Sequence, residues 1–329
     1  MLIACQNLFS SVAKKVPARA TRQKNNRPIL VGLSMVMVIM AVVVIIFSIP
    51  ETNDQTTEIP WSVDESSRLS FSSRELVAPR ADLMEDTADY SLEKVTYWSH
   101  DTTVYGLLRV PKNVSKPPVV IVLPAATVSK EADSPMATAL SSRGYASLTL
   151  DERGNGGETG GRSPMDFTTG YEVYRNGGMP AQYSQIYDVL QGYDYIRSRD
   201  DLDGGNVAVL GESMGGRFAV VAAGIEPGFK AAFVISSSPY GLDAGNDRDA
   251  ARFVSSVEPA TYLQNLPPRK LVMFHFTGDP VIPIAYGRSL YDAASQPKAW
   301  YQYNGSVHGV YSDRYAPDLH AELVSIFGR

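Results

Sequence analysis

The chain is poor in the residues that hold metals and staple folds. Of its 329 residues, one is cysteine, Cys5, and four are histidine. A lone cysteine excludes a disulfide framework within the chain, and four dispersed histidines leave no Cys/His cluster, so neither a metal nor a cofactor is expected. Acidic residues are missing from the first 50 positions, where six basic residues (Lys14, Lys15, Arg19, Arg22, Lys24 and Arg27) stand unopposed. No charge of either sign falls between Ile29 and Pro50. The glycine-rich stretch Asp151-Glu152-Arg153-Gly154-Asn155-Gly156-Gly157-Glu158-Thr159 has Thr159 where a dinucleotide-binding loop needs its third glycine, which argues against that use. No internal repeat is present.

The uncharged run is long enough to matter. At ~1.5 Å per residue, Ile29–Ile49 spans roughly 30 Å, the thickness of a hydrocarbon core, so residues 29–49 are expected to form a transmembrane helix. Residues 1–28 form a basic arm, and Glu51, Asp54 and Glu58 follow the apolar run. The positive-inside bias then places the amino terminus in the cytoplasm and the remainder outside it. An organellar targeting peptide is the competing reading of the same arm. Residues 50–89 are rich in Ser, Thr, Asp and Glu without a sustained period, and read as a flexible linker, with Trp61 a candidate interfacial anchor. Beyond position 50 lie all 35 acidic but only 24 basic residues, a net charge near −11 that disfavours a nucleic-acid partner.

From Tyr90 the pattern is that of a folded domain, 90–329. Val95–Trp98 and Val104–Val110 flank a polar turn and suggest an antiparallel pair. Residues 119–123 are continuously apolar, as a strand buried on both faces is expected to be, a helix is expected over 135–143, and residues 146–150 are expected to form the next buried strand. Further strands are expected before Ser213 and over 231–235, 270–276 and 299–303. Ser184 is a candidate cap for a helix with Ile186, Val189, Leu190, Tyr193 and Ile196 on its apolar face, and a last helix carries Leu319, Leu323, Ile326 and Phe327. Strands alternating with helices predict an α/β fold with a parallel sheet. Residues 154–178 read as an irregular excursion, and the loop near Asp243–Asp249 as part of a small lid.

The chemistry centres on Gly211-Glu212-Ser213-Met214-Gly215, between an apolar strand and a small-residue helix. Gly-x-Ser-x-Gly in that context is a nucleophile elbow, a sharp turn that holds a serine hydroxyl clear of its backbone. Such a serine needs a base and an acid that orients it, in the chain order Ser, acid, His. His275 lies within an apolar strand and His320 on a terminal helix, which leaves His308, flanked by Val307 and Gly309, as the base. Asp243, Asp247 and Asp249 sit together in a polar loop and read as a solvated face. Asp279 directly follows a buried strand and is the candidate acid.

These motifs, Gly211–Gly215, Thr277–Pro283 and Val307-His308-Gly309, resemble those of alpha/beta-hydrolases, in particular the dienelactone-hydrolase-like and prolyl-oligopeptidase-like branch, over about Tyr90 to Arg329. Asp151–Gly156 is similar to the Asp-x-Arg-Gly-x-Gly turn of that branch, where it is chiefly structural. The resemblance implies an alpha/beta-hydrolase fold, a mostly parallel eight-stranded sheet with helices on both faces, and a Ser-His-Asp acyl-transfer site. It also implies an oxyanion hole, with Met214 N–H as one donor and Ala126 N–H as the second, Ala125 being the other candidate. Pro124-Ala125-Ala126 replaces the His-Gly of relatives, but backbone donors do not depend on side-chain identity.

The expected function is hydrolysis of a small-molecule carboxylic ester through an acyl-enzyme. A serine peptidase acting on amides is the nearest alternative, disfavoured by the lack of a propeller-sized amino-terminal domain, and a non-catalytic hydrolase-fold binding protein is the other. Asn113-Val114-Ser115 and Asn304-Gly305-Ser306 match the glycosylation pattern, but the second lies beside His308 and reads as an accident of sequence.

Overall fold

The computed structural model describes residues 61–328, which belong to a compact unit Gln55–Arg329. The basic arm, the expected transmembrane helix over 29–49 and the start of the expected linker lie outside the described residues. Among the described residues, no helix is long and apolar enough to cross a membrane.

One sheet organises the unit. Its strands are β3 (Val77–Asp86), β4 (Tyr90–Ser99), β5 (Thr102–Pro111), β6 (Val119–Leu123), β7 (Ala146–Leu150), β8 (Val207–Glu212), β9 (Phe229–Ile235), β10 (Lys270–Phe276) and β11 (Lys298–Tyr303), in the order β11-β10-β9-β8-β6-β7-β5-β4-β3. The pairs from β7 through β11 are parallel, whereas β3, β4 and β5 join as an antiparallel edge. A separate hairpin, β1 (Trp61–Val63) with β2 (Leu69–Phe71), precedes the sheet.

Period-2 alternation explains why helices cover both faces. Ile121 and Leu123 of β6 and Val209 of β8 join one core cluster with α3 (Ala181–Ser198) and α4 (Met214–Ile225), through residues such as Val189, Leu190, Phe218 and Val221. Their neighbours Val120, Val122 and Leu210 point to the other side, against α1 (Ser134–Ser141) and the last helix, Ala316–Phe327, where Met136, Leu140, Leu319 and Leu323 lie. Both faces are therefore apolar, which is why these strands read as unbroken apolar runs.

Two expectations are corrected. The sheet has nine strands among the described residues, not eight, and the stretch expected to be a flexible linker up to position 89 carries β1, β2 and the ninth strand, β3. The physical reason is the same for both. An edge strand keeps away unwanted pairing with Pro, charge and bulges, and β3 has Pro79, Arg80, Asp82, Glu85 and Asp86 with two register shifts against β4. Those residues mimic the composition of disorder. Trp61 is an aromatic neighbour of Tyr174 and Tyr183 in the folded unit, with centroids 5.7 and 5.0 Å apart. The helix expected to be capped by Ser184 begins at Ala181, with Pro180 in extended conformation as its first flanking residue. The excursion 154–178 contains a helix, α2 (Phe167–Arg175), capped by Asp166.

Candidate active site

The nucleophile candidate stands where β8 ends and α4 begins. Ser213 has φ 51° and ψ −108°, a conformation costly for a residue with a Cβ, and its amide donates to Ile235 O on the neighbouring strand at 2.8 Å. The flanking glycines are dictated by contact. A Cβ on Gly211 would lie 2.2 Å from Gly215 O, and one on Gly215 would lie 2.2 Å from Leu123 O at the end of β6. Neither backbone atom can yield, so the turn is as tight as its sequence suggests.

His308 and Asp279 reach this serine from the ends of β11 and β10. His308 Nε2 lies 2.9 Å from Ser213 Oγ, and its Nδ1 lies 2.9 Å from each oxygen of Asp279. Asp279 Oδ1 also accepts the amides of Val281 and Ile282 at 2.9 Å. Burial opposes the charge on Asp279, but His308 and those two amides outweigh it and hold the carboxyl below its ordinary range. An ionised Asp279 favours the tautomer with a proton on Nδ1, which leaves Nε2 free to accept one from Ser213.

The two backbone donors named from sequence belong to two different elements. Met214 is the first residue of α4, where a helix leaves its amides unsatisfied. Ala126 lies in the loop after β6, and Ala125 is buried beside it. The remaining histidines do other work. His275 is fully buried, donates Nε2–H to Ile282 O at 2.9 Å and stacks on Trp300; burial holds it neutral, so it braces the turn that carries Asp279. His320 is half-buried against Tyr145. Asp247 caps α5 (Arg248–Val257) and accepts Tyr171 O–H at 2.7 Å, so it takes no part in the site. Arg153 is buried and binds Asp188 through Nε at 2.6 Å and Nη2 at 2.9 Å, a structural role for the Asp-x-Arg-Gly turn.

Sequence reasoning missed two features next to the elbow. Glu212, Glu152 and Asp133 are buried, and among the described residues no N–H or hydroxyl donor meets the oxygens of the two glutamates. Only a proton carried by a carboxyl can bridge Glu212 and Asp133, and burial pushes both glutamates well above the ordinary carboxyl range. Asn155, the residue after the Arg153-Gly154 pair, hydrogen-bonds the loop that carries Ala126. A glutamate directly before the nucleophile was the one visible signal for the first; nothing in the sequence pairs positions 28 apart for the second. Among the described residues, no group of His, Cys, Asp and Glu is arranged to hold a metal ion.

Residues 118–258 match the family described as the alpha/beta hydrolase fold, a span that includes Ser213 and stops before Asp279 and His308. An acetyl xylan esterase from Paenibacillus sp. R4 superposes with a TM-score of 0.65 at 17% identity, covering 84% of this chain and 100% of that one. The chain has the alpha/beta-hydrolase fold. Est1E of Butyrivibrio proteoclasticus, solved with ferulic acid, shares this hydrolase fold at a TM-score of 0.53 and 15% identity, over 71% of this chain and 99% of that one. In sequence, the chain is 30% identical over 134 residues to the acetyl esterase Axe7A of Xylanibacter ruminicola, which is 38% of this chain and 30% of that protein. It is 25% identical over 154 residues to the uncharacterised protein YfhR of Escherichia coli O157:H7, which is 45% of this chain and 54% of that protein. The chain thus spans between about a third and a half of the length of these two curated relatives.

Proposed function

We propose that the chain is a serine hydrolase of carboxylic esters that works through an acyl-enzyme on Ser213. The observation that carries this reading is the 2.9 Å approach of His308 Nε2 to Ser213 Oγ, with Asp279 behind the imidazole. Ser213 Oγ attacks the ester carbonyl carbon while its proton passes to His308 Nε2, and the carbonyl electron pair moves onto oxygen. The amides of Met214 and Ala126 receive that oxyanion, each such donor contributing ~3 kcal/mol to the transition state. Collapse expels the alcohol, which takes the proton from His308, and water then repeats the sequence on the acyl group. Similarity to Axe7A and to acetyl xylan esterases supports esters, with short acyl groups first among them.

The charge asymmetry around residues 29–49 supports a second part of the proposal, that this segment crosses a membrane and leaves the hydrolase domain outside the cytoplasm.

The test is active-site labelling of the full-length chain in detergent with a fluorophosphonate, followed by a panel of acyl esters and aminoacyl amides. Label on Ser213 alone, abolished by Ser213→Ala and by His308→Ala, with turnover of esters, is the expected result. A folded wild type that takes up no probe over hours would point to a binding scaffold instead, and turnover confined to amides would point to a peptidase.

A further inference from the structure

We infer that Asn155 is a positioning residue for the second oxyanion donor, fixing the Ala126 peptide from behind without touching substrate. The inference rests on the ester-hydrolase reading of Ser213 and deepens it.

Asn155 lies in the turn after β7 and is 8% exposed. Its side chain is spent on three backbone groups of one short loop. Nδ2 donates to Ala125 O and to Val128 O, both at 3.0 Å, and Oδ1 accepts Thr127 N–H. Val128 N–H also donates to Ala125 O at 3.1 Å, closing a four-residue turn in which Ala126 and Thr127 are the central pair. Thr127 has φ 66°. A β-branched residue is an outlier in that left-handed region, at a turn position that ordinarily favours glycine. Such a conformation persists only where its surroundings over-determine it, and Asn155 supplies three of the restraints.

The consequence for Ala126 follows from peptide geometry. In a trans peptide the carbonyl and the next N–H point in opposite directions. Asn155 and Val128 N–H together draw the Ala125 carbonyl into the turn, so the Ala126 N–H is turned to the other side, and among the described residues it donates to no protein acceptor. The turn is also close to the nucleophile. The position a Cβ would take on Gly309, the residue after His308, is 3.3 Å from Ser213 Cβ and 3.5 Å from Ala125 Cβ. At its far end the loop is tied separately, by Lys130, whose amide and Nζ bind buried Asp151 at 2.8 and 2.6 Å. Lys130 and Asp151 hold the loop to the sheet, and Asn155 sets the orientation of the peptides on either side of Ala126.

The experiment compares Asn155→Ala and Asn155→Asp with wild type, full length in detergent, on an ester that the wild type hydrolyses. Asn155→Asp keeps the volume and the acceptor for Thr127 N–H but brings no hydrogens to the Ala125 and Val128 carbonyls, and it decides the matter if Asn155→Ala fails to fold. In both variants kcat is expected to fall about ten- to a hundredfold, somewhat less than the ~10²–10³ that loss of an oxyanion donor itself costs. KM should stay within about threefold, because the lost interaction belongs to the transition state. A boronic acid, whose tetrahedral adduct with Ser213 places an oxygen in the same hole, should weaken by the same factor as kcat. A purely structural asparagine would lower the thermal midpoint without this matched loss. Wild-type kcat in a folded variant, or a fall in kcat with unchanged boronate affinity, overturns the inference. If the wild type itself neither labels with fluorophosphonate nor turns over esters, the ester-hydrolase reading is what has failed.

Discussion

His308 Nδ1 stands 2.9 Å from both carboxylate oxygens of Asp279, and one of those oxygens also takes the amides of Val281 and Ile282. An asparagine can still accept the two amides, but it offers His308 a weaker, neutral partner and permits the wrong tautomer. Asp279→Asn should therefore fold and lose roughly ten-thousandfold in kcat, as neutralising such an acid does in other triads. The folded carboxyl is held below its ordinary range, so the charge contributes stability above that range and loses it as pH falls through the lowered value. Thermal midpoints of wild type and variant should accordingly differ most near neutrality and converge in acid. A variant with wild-type kcat would move the orienting acid elsewhere.

The buried glutamates beside the elbow make the opposite prediction. Glu152 and Glu212 are raised well above the ordinary range by burial, so the folded state holds protons that the unfolded chain releases. Stability from these groups is present at acid pH and declines as pH rises from roughly 5 upward. Glu212→Gln and Glu152→Gln should flatten that decline, measured as thermal midpoint against pH between about 5 and 9. Profiles parallel to wild type would mean that both carboxyls find partners and ionise.

The position of β1 and β2 sets where the chain can be cut. Leu69 is 2% exposed, its amide donates to Tyr262 O–H at 2.8 Å, and Arg74 pairs with Asp194 and Glu226. Removing residues 1–60 should leave a soluble, folded hydrolase. Removing residues 1–89 loses all of these contacts. Burial of Leu69 alone contributes roughly 1.5–3 kcal/mol, and its loss should lower the midpoint by on the order of 5 °C. Equal midpoints for the two truncations would show that the hairpin and the edge strand β3 removed with it add nothing.

For topology, proteinase K added to intact cells should reach the part of the chain that follows residue 50. Cleavage that appears only after the membrane is opened would reverse the proposed orientation.

Legibility in the sequence followed burial. Strands β6, β7 and β10 were readable to the residue, because a strand covered on both faces is built mainly from apolar residues in a short run with no helical period. Ser213, Asp279 and His308 could be picked out together as one candidate site because each stands just beyond a strand's carboxyl end with a glycine beside it or within two residues. Strand β3 was not, since an exposed edge is built from the same Pro, Arg, Asp and Glu that mark a disordered tether. The start of α3 was displaced from Ser184 because a proline fixed the entry, whatever hydroxyl lay one turn on. Asn155 could not be found at all: its partners lie in a loop from another strand, and only folding brings them together.

The left-handed φ of Ser213 has a further consequence, for how stability is traded against the proposed activity. Strain of that kind costs of order 1–3 kcal/mol, and glycine would relieve it. Ser213→Gly should therefore melt higher than wild type while being catalytically dead, even after the extra flexibility of glycine in the unfolded chain, ~0.5–1 kcal/mol, is counted against it. If the proposed hydrolysis holds, a screen that selects variants by heat resistance alone would enrich the inactive one, so any thermostability campaign on this chain has to score turnover in the same round.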